Sequence, residues 1–249
     1  MNGLLQRIIA AARVRAAALE LPAVGPARSP RGFAAALRGR SQLHVIAEFK
    51  RKSPAGGSFA AVSVTSAVRA YAAGGASALS VLTEPQWFGG SFADLAAAAA
   101  ATSLPVLCKD FVVAATQVHA AAAAGASAVL LIVRCLPGGQ LGELVAAAGE
   151  AGLAVLLECH DERQLERALS FGIAVIGINN RDLDSLQVDR SVVRRLLPRV
   201  PLDRVVVAES GYETPEQLRE LRGCCDAALV GTALLRARDP AAFLSAVQP

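Results

Sequence analysis

The 249-residue chain contains few aromatic residues, few histidines and almost no lysine. Aromatic side chains make up 4% of the residues, which leaves few surfaces on which nucleic-acid bases could stack. The net charge is only +4, and the arginines are scattered rather than grouped in one basic run. His44, His119 and His160 are too dispersed in the sequence to suggest a metal-binding cluster. We therefore expect neither a nucleic-acid partner nor a bound metal.

Long apolar runs are also missing. No stretch reaches the ~20 strongly apolar residues of a membrane span, because alanine supplies much of the 53% hydrophobic content. The first twenty residues carry Arg7, Arg13 and Arg15 among apolar residues, which does not match a secretory signal. They predict an amphipathic helix packed on the domain, and a transit peptide is the alternative. We expect no membrane partner.

The cysteines follow no pattern typical of disulfides or zinc sites. Their number is odd and the chain has no C-x-x-C pair. Three of them lie inside apolar runs, where cysteine behaves as a small buried hydrophobic residue. The five are Cys108, Cys135, Cys159, Cys224 and Cys225. This cysteine usage fits a reducing cytoplasm. Separately, we expect the protein to be a monomer and to need no cofactor.

Lysine is nearly absent, so the lysines that remain are informative. Lys50, Lys52 and Lys109 are the only ones, and the other 22 of the 25 basic residues are arginine. The pKa of lysine moves readily on burial, whereas arginine keeps its proton in proteins. The three lysines therefore indicate proton chemistry or point-charge contacts. Chance survival in an arginine-rich sequence is the alternative.

Eight short apolar runs alternate with alanine-rich helical segments. Runs of this kind are typical of strands buried on both faces of a parallel sheet. The runs are 44–49, 78–82, 105–109, 128–133, 154–158, 174–178, 204–208 and 227–231. They predict a (β/α)8 barrel of the TIM type over residues 43–249, preceded by a helical extension and a proline-containing linker over residues 1–42. A doubly wound open sheet is the alternative, but no G-x-G-x-x-G follows the first run.

Helix start and stop signals separate these strands. Thr214 followed by Pro215 predicts a capped helix start, and Gly223 predicts the end of that helix. Asp161 and Gly172 bound a second helix in the same way. Each apolar run is thus followed by helical sequence, as a chain of βα units requires.

Polar and small residues lie at the carboxyl ends of the predicted strands, the end of a barrel where active sites lie. They are Glu48, Lys50, Lys52 and Ser53 at the end of the first strand, Lys109 and Asp110 at the third, Glu158 at the fifth, Asn179, Asn180 and Arg181 at the sixth, Glu209, Ser210 and Gly211 at the seventh, and Gly231 and Thr232 at the eighth. All three lysines are therefore predicted at one mouth.

Two loops at this mouth indicate a phosphate-binding site, and two acidic residues there indicate ion pairs. "ESG" after the seventh strand and "GT" after the eighth offer backbone N–H groups to a phosphate, although a capped turn is the alternative for "GT". Glu48 and Glu158 lie in apolar strands, where a carboxylate needs a cationic partner. Such pairs are typical of active sites and also of structural ion pairs. Trp87 and Phe88, which precede two glycines, indicate either an aromatic wall for a ligand or simple loop packing.

Seven segments between about residue 43 and residue 243 carry a family resemblance. They are "IAEFKRKSPAGG", "LSVLTEPQWFGGSFADL", "PVLCKDF", "LLECHDERQLERAL", "IGINNRDL", "VAESGYETPEQL" and "ALVGTALLRARDP". In this order they resemble indole-3-glycerol-phosphate synthase. The resemblance implies the ring closure of 1-(2-carboxyphenylamino)-1-deoxyribulose 5-phosphate to indole-3-glycerol phosphate, with loss of carbon dioxide and water.

The same resemblance implies a role for each of several residues. Lys109 would be the general acid on the ketone, and Glu158 would act in the later proton removal and dehydration. Glu48 would orient these groups, and Lys50 would face the phosphate or the carboxylate of the substrate. The implied catalytic residues are thus Lys109, Glu158, Glu48 and Lys50, and the resemblance leaves open whether Lys50 or Lys109 is the acid in each step. The implied substrate-binding residues are Asn179, Arg181, Glu209, Phe88, Phe111 and Leu130. The implied phosphate-binding residues are Ser53, Ser210, Gly211, Gly231 and Thr232.

Two other functions fit the residues less completely. One is another phosphate-binding barrel enzyme, such as a sugar-phosphate isomerase or an aldolase that forms an imine on Lys109. The other is an inactive barrel that only binds a phosphorylated ligand, which the set Glu48, Lys50, Lys109 and Glu158 argues against. Cys108 and Cys159 flank two of these residues in sequence, and strand alternation predicts that both point away from the pocket.

Overall fold

A computed structural model describes residues 3–20, 32–55, 57–59 and 62–247. Eight parallel strands close into a barrel, with each strand hydrogen-bonded to its neighbours in chain order and the last paired with the first. The strands are β1 (His44–Phe49), β2 (Ala78–Leu82), β3 (Val106–Lys109), β4 (Ala128–Ile132), β5 (Ala154–Cys159), β6 (Val175–Asn179), β7 (Val205–Glu209) and β8 (Ala227–Val230). The predicted barrel is confirmed and the open sheet is excluded.

The strands form where the sequence is continuously apolar. Every residue of β2, β4, β6, β7 and β8 is buried, as expected for strands covered on both faces. The predicted bounds agree with the observed ones to within one residue at each end. The barrel is closed by β1 and β8, where Ala47 is paired with Val230. A separate two-stranded hairpin, Lys52–Ser53 with Gly57–Ser58, follows β1 and was not predicted.

Twelve α-helices are found among the described residues. They are α1 (Leu4–Ala17), α2 (Phe33–Ala36), α3 (Val64–Ala73), α4 (Pro85–Phe88), α5 (Phe92–Ala101), α6 (Ala115–Ala123), α7 (Gln140–Glu150), α8 (Glu162–Leu169), α9 (Ser191–Leu196), α10 (Pro215–Arg219), α11 (Thr232–Arg236) and α12 (Pro240–Ser245). None of them is long and apolar enough to cross a membrane.

The predicted helix caps are present. The side chain of Asp161 accepts a hydrogen bond from the Gln164 backbone N–H at the start of α8. Thr214 caps α10 in the same way through Gln217. Helix α10 ends at Arg219, earlier than the sequence pattern indicated, and Gly223 adopts the left-handed conformation four residues later.

The N-terminal helix packs on the barrel, as predicted. Helix α1 buries Leu5, Ile8, Ala12 and Ala16. Arg15 on the same helix lies 2.6 Å from Asp110 and 3.4 Å from Glu84, next to the carboxyl ends of β3 and β2. These contacts hold α1 over the end of the barrel at which the polar residues were predicted. The predicted linker at residues 21–30 lies outside the described residues.

Candidate active site

A cavity of about 410 Å³ opens at the carboxyl ends of the strands. Its size is that of a typical small-molecule site. All fifteen site residues inferred from the sequence line it: Glu48, Lys50, Ser53, Phe88, Lys109, Phe111, Leu130, Glu158, Asn179, Arg181, Glu209, Ser210, Gly211, Gly231 and Thr232. Residues that are far apart in sequence therefore converge because the barrel brings every strand end to one rim.

Lys109 lies between two buried carboxyl groups. Its Nζ is 3.5 Å from Glu158 Oε2 and 3.6 Å from Glu209 Oε2. The two glutamates come from β5 and β7, and Gly177 on β6 lies between those strands, paired with Glu158. A Cβ atom at Gly177 would collide with Glu209 Oε1. The missing side chain at Gly177 thus creates the space in which the Glu209 carboxyl lies.

The three groups shift one another's pKa. Burial opposes the charge on Lys109, but Glu158, Glu209 and Glu48 outweigh it and raise the pKa of the ammonium. Burial also opposes the charge on Glu158, yet Lys109 and then His160 bring its pKa below the usual value. Burial, and next the Glu158 carboxylate, raise the pKa of Glu209 well above its usual value. The cluster favours a charged lysine, a charged Glu158 and a neutral Glu209.

Glu48 and Lys50 form a second ion pair in the cavity. Lys50 Nζ donates a hydrogen bond of 2.7 Å to Glu48 Oε1, and the Glu48 side chain is 7% exposed. Burial raises the pKa of Glu48, but Lys50 and Lys109 bring it below its usual value. Gly231 on the neighbouring strand end has no side chain to displace this pair, because a Cβ there would collide with Glu48 Oε1.

The predicted phosphate-binding residues gather along one stretch of the cavity. Ser210 and Gly211 both have positive φ, 65° and 87°. For a serine this left-handed conformation is strained, which is typical of residues held in place at binding sites. Thr232 is the first residue of α11, directly after the short β8. Arg181 also lines the cavity, so a cation is available beside these backbone groups.

Apolar side chains line another part of the cavity. The rings of Phe88 and Phe111 are 6.3 Å apart and tilted by 37°. Leu130 lies beside them on β4, and Leu4 and Ile8 of α1 also line the cavity. A flat aromatic ring could therefore be enclosed between the barrel and the N-terminal helix.

These positions correct one sequence-based interpretation, for Lys52, and decide between the two alternatives given for Trp87. Lys52 lies on the hairpin after β1 and does not line the cavity, so two of the three lysines face the site, not all three. Trp87 packs against the core instead of forming the cavity wall, and only Phe88 of that pair lines it. Gly89 ends α4 in the left-handed conformation, and a Cβ at Gly90 would collide with the Leu82 carbonyl oxygen. Both glycines are thus explained by the geometry of the turn.

Sequence reasoning missed a histidine beside Glu158. His160 Nε2 lies 3.4 Å from Glu158 Oε1, and its Nδ1 lies 3.2 Å from the side-chain oxygen of Gln164. Because that amide oxygen can only accept, Nδ1 carries hydrogen and Nε2 faces the carboxylate. His160 directly follows the end of β5 at Cys159, so strand alternation in the sequence did not indicate that it would contact Glu158. Cys159 between them is buried and does not line the cavity, and neither does Cys108, as predicted.

Comparison with known proteins identifies close relatives. A family model for indole-3-glycerol phosphate synthase matches residues 5–247. The indole-3-glycerol phosphate synthase of Deinococcus radiodurans is 47% identical over 225 residues, covering 87% of this chain and 84% of the relative. Indole-3-glycerol phosphate synthase 2 of Streptomyces coelicolor is 44% identical over 252 residues, covering 96% of each chain.

Solved structures share the fold at lower identity. KGPDC from Streptococcus mutans has a TM-score of 0.62 and 12% identity, covering 83% of this chain and 95% of that one. A structure described as native KDPGal has a TM-score of 0.60 and 21% identity, covering 84% and 95%. At these identities the likeness is one of barrel architecture alone.

Proposed function

We propose that this chain, which belongs to the indole-3-glycerol phosphate synthase family, closes the indole ring in the cavity described above, with Lys109 as the acid. The reaction converts 1-(2-carboxyphenylamino)-1-deoxyribulose 5-phosphate to indole-3-glycerol phosphate and releases carbon dioxide and water, a carbon–carbon lyase step of tryptophan biosynthesis. The observation that supports the residue assignment is the placement of the Lys109 ammonium between Glu158 and Glu209, inside a cavity with one apolar and one polar side.

The first step needs an acid at the ketone. As the ring carbon bonds to the ketone carbon, negative charge develops on the ketone oxygen, and a nearby ammonium can transfer a proton to it. Lys109 is buried at the cavity wall and can supply that proton. Arginine could not, because its guanidinium does not give up a proton in proteins. This requirement accounts for a retained lysine in an arginine-rich chain.

The later steps need a base. After loss of carbon dioxide, the ring must lose a proton from carbon while the hydroxyl departs as water. Glu158 is charged, 1% exposed and next to Lys109, so it can accept this proton. His160 Nε2 lies 3.4 Å from the other oxygen of this carboxylate.

The remaining residues bind the two ends of the substrate. The phosphate lies against the backbone and hydroxyl groups of Ser53, Ser210, Gly211, Gly231 and Thr232, with Lys50 or Arg181 supplying positive charge. The anthranilate ring lies between Phe88, Phe111 and Leu130. Asn179 holds a polar group of the intermediate. Glu48 positions Lys50 through the 2.7 Å ion pair.

The assignment predicts that Lys109→Ala loses at least ~100-fold in turnover, the scale of losing a general acid. Indole fluorescence, followed with the anilino-deoxyribulose phosphate as substrate, measures this directly. Near-normal turnover by the variant would contradict the role of Lys109. An imine-forming aldolase is distinguished by adding borohydride with the substrate, which traps a covalent adduct only if an imine forms. We also propose that the enzyme works as a cytoplasmic monomer on this small molecule.

A further inference from the structure

Asn180 is a buried polar residue that the proposed reaction does not use. It follows Asn179 at the end of β6, but it does not line the cavity, and it is 2% exposed. A buried side-chain amide is costly unless both its oxygen and its nitrogen are hydrogen-bonded. The partners of this amide therefore indicate what it holds in place.

The Asn180 side chain joins the segments that follow β6 and β7. Its Nδ2 donates hydrogen bonds to the Ser210 carbonyl oxygen at 3.0 Å and to the Tyr212 hydroxyl at 3.3 Å. Its Oδ1 accepts a hydrogen bond of 3.2 Å from the Val193 backbone N–H in α9. Because a carbonyl can only accept and an N–H can only donate, these contacts permit one orientation of the amide. The backbone N–H of Asn180 also donates to the Glu209 carbonyl oxygen, at 3.0 Å.

The peptide unit between Ser210 and Gly211 is therefore held from behind the cavity wall. In a planar trans peptide the C=O and the N–H point in opposite directions. The C=O is turned towards Asn180, so the Gly211 N–H is turned away from it. This N–H has no protein acceptor in the described part of the chain, and both residues of the peptide line the cavity. A free backbone N–H at a cavity wall is a donor for an anionic ligand.

This orientation of the peptide does not hold itself. Ser210 has a φ of 65°, which is strained for a residue with a side chain, and Gly211 has a φ of 87°. A Cβ at Gly211 would lie 2.6 Å from Val188 Cγ1, so only glycine fits against that neighbour. Glycine lets the peptide rotate easily, and a rotated peptide would present its carbonyl oxygen to the phosphate, which repels it. The hydrogen bond from Asn180 opposes that rotation.

We propose that Asn180 is the positioning residue of the phosphate site, because it holds the Ser210 carbonyl so that the Gly211 N–H faces the substrate phosphate. This inference rests on the function proposed above. Asn180 acts through the peptide unit and does not touch the substrate. It affects how tightly the phosphate end is bound and not the proton transfers, since Lys109 and Glu158 lie on β3 and β5.

The test compares two ligands that differ only in the phosphate, indole-3-glycerol phosphate and indole-3-glycerol. The ratio of their dissociation constants, measured by calorimetry, is the phosphate preference of the protein. We expect Asn180→Ala to lower this preference about 10-fold, the scale of one hydrogen bond to a charged group, and to leave the affinity for indole-3-glycerol unchanged. In turnover of the anilino-deoxyribulose phosphate, KM should rise while kcat stays nearly constant, as expected for lost uniform binding.

Tyr212→Phe is the matched control. It removes one partner of the same amide and keeps the bond from Asn180 to the Ser210 carbonyl. We expect this variant to be less stable in urea unfolding and to keep the phosphate preference of wild type. A purely structural Asn180 would instead make the two variants alike, with lower stability and an unchanged preference.

Several outcomes decide the proposal. It would be overturned if Asn180→Ala kept the wild-type preference, lost affinity equally for both ligands, or lost no more preference than Tyr212→Phe. A wild type that shows the preference but does not convert the substrate would refute the proposed function and leave this inference standing, because neither ligand reacts.

Should Asn180→Ala not fold, wild type labelled with ¹⁵N-glycine gives the answer by nuclear magnetic resonance. The Gly211 amide proton should move downfield on addition of indole-3-glycerol phosphate and not on addition of indole-3-glycerol, because only the phosphate accepts its hydrogen bond. An amide proton that responds equally to both ligands, or to neither, would refute the proposal.

Discussion

At the scale of single residues, the chemistry depends on which cation stands between Glu158 and Glu209. The prediction is that Lys109→Arg is as damaging as removing the side chain, at least ~100-fold in turnover, although the positive charge is kept. Lys52→Arg makes the same change on a lysine that does not line the cavity, and it should retain nearly full activity. Fluorescence-monitored turnover of both variants tests the pair. A substantially active Lys109→Arg would show that charge alone suffices there.

The neutral form of Glu209 also has a consequence for stability. Burial, and then Glu158, raise the pKa of Glu209 above its unfolded value of about 4.5, so the folded state holds this proton more tightly than the unfolded state. Its contribution is complete below pH ~4.5 and is lost as pH rises through the raised pKa. Relative to Glu209→Gln, wild type should therefore lose free energy of unfolding as pH increases. Urea unfolding at a series of pH values measures this, and parallel curves would contradict it.

From the residues alone, the candidate site could be predicted only where a polar side chain ends an apolar run, and Phe88, Phe111 and Leu130 were assigned to it through the family resemblance. Lys109 and Glu158 stood out because charged residues interrupt apolar runs. His160 did not, because a histidine after a strand is unremarkable until its ring is seen 3.4 Å from a carboxylate. Lys52 was placed wrongly, because the hairpin at Lys52–Ser53 turns the chain in a way that no local pattern indicated.

At the scale of elements, helix α1 depends on a few buried charges. Arg15 pairs with Asp110, whose side chain is 1% exposed, and with Glu84, which also caps α4. We expect Arg15→Ala to lower the free energy of unfolding by about 2–4 kcal/mol, because the buried Asp110 carboxylate loses its cationic partner and keeps only the hydrogen bonds from Thr83 and Phe111. Arg13→Ala on the exposed side of α1 is the control and should cost little. Equal effects in urea unfolding would argue against this anchoring.

The eight strands were predictable and the contacts of α1 were not, for a physical reason. Burial on both faces imposes apolar sequence on a strand such as Ala128–Ile132, so the signal is local. The Arg15–Asp110 pair joins residues 95 positions apart, and nothing near Arg15 in sequence specifies its partner. The short helix Pro85–Phe88 is held by its local cap, in which the Glu84 side chain accepts hydrogen bonds from three backbone N–H groups, and it is too short to show helical periodicity.

At the scale of the whole molecule, the surface gives little reason for self-association. The large hydrophobic residues exposed among the described ones are Val14, Val62, Val188 and Leu202, which belong to four different segments. Scattered apolar residues of this kind are normal for monomers. We predict a particle of 25.6 kDa by light scattering coupled to size-exclusion chromatography, at all concentrations used for kinetics. A mass of twice that value would contradict the expected monomer.

Closure of the barrel through β1 and β8 also affects how the chain is made. Ala47 finds its partner Val230 only after about 180 more residues have left the ribosome, which takes roughly 10 to 40 seconds at ordinary rates of synthesis. Throughout that time one edge of β1 has unpaired backbone groups and an apolar face. The nascent chain is therefore most prone to aggregate before β8 is translated, and slowing translation of the codons that precede β8 would prolong that exposure.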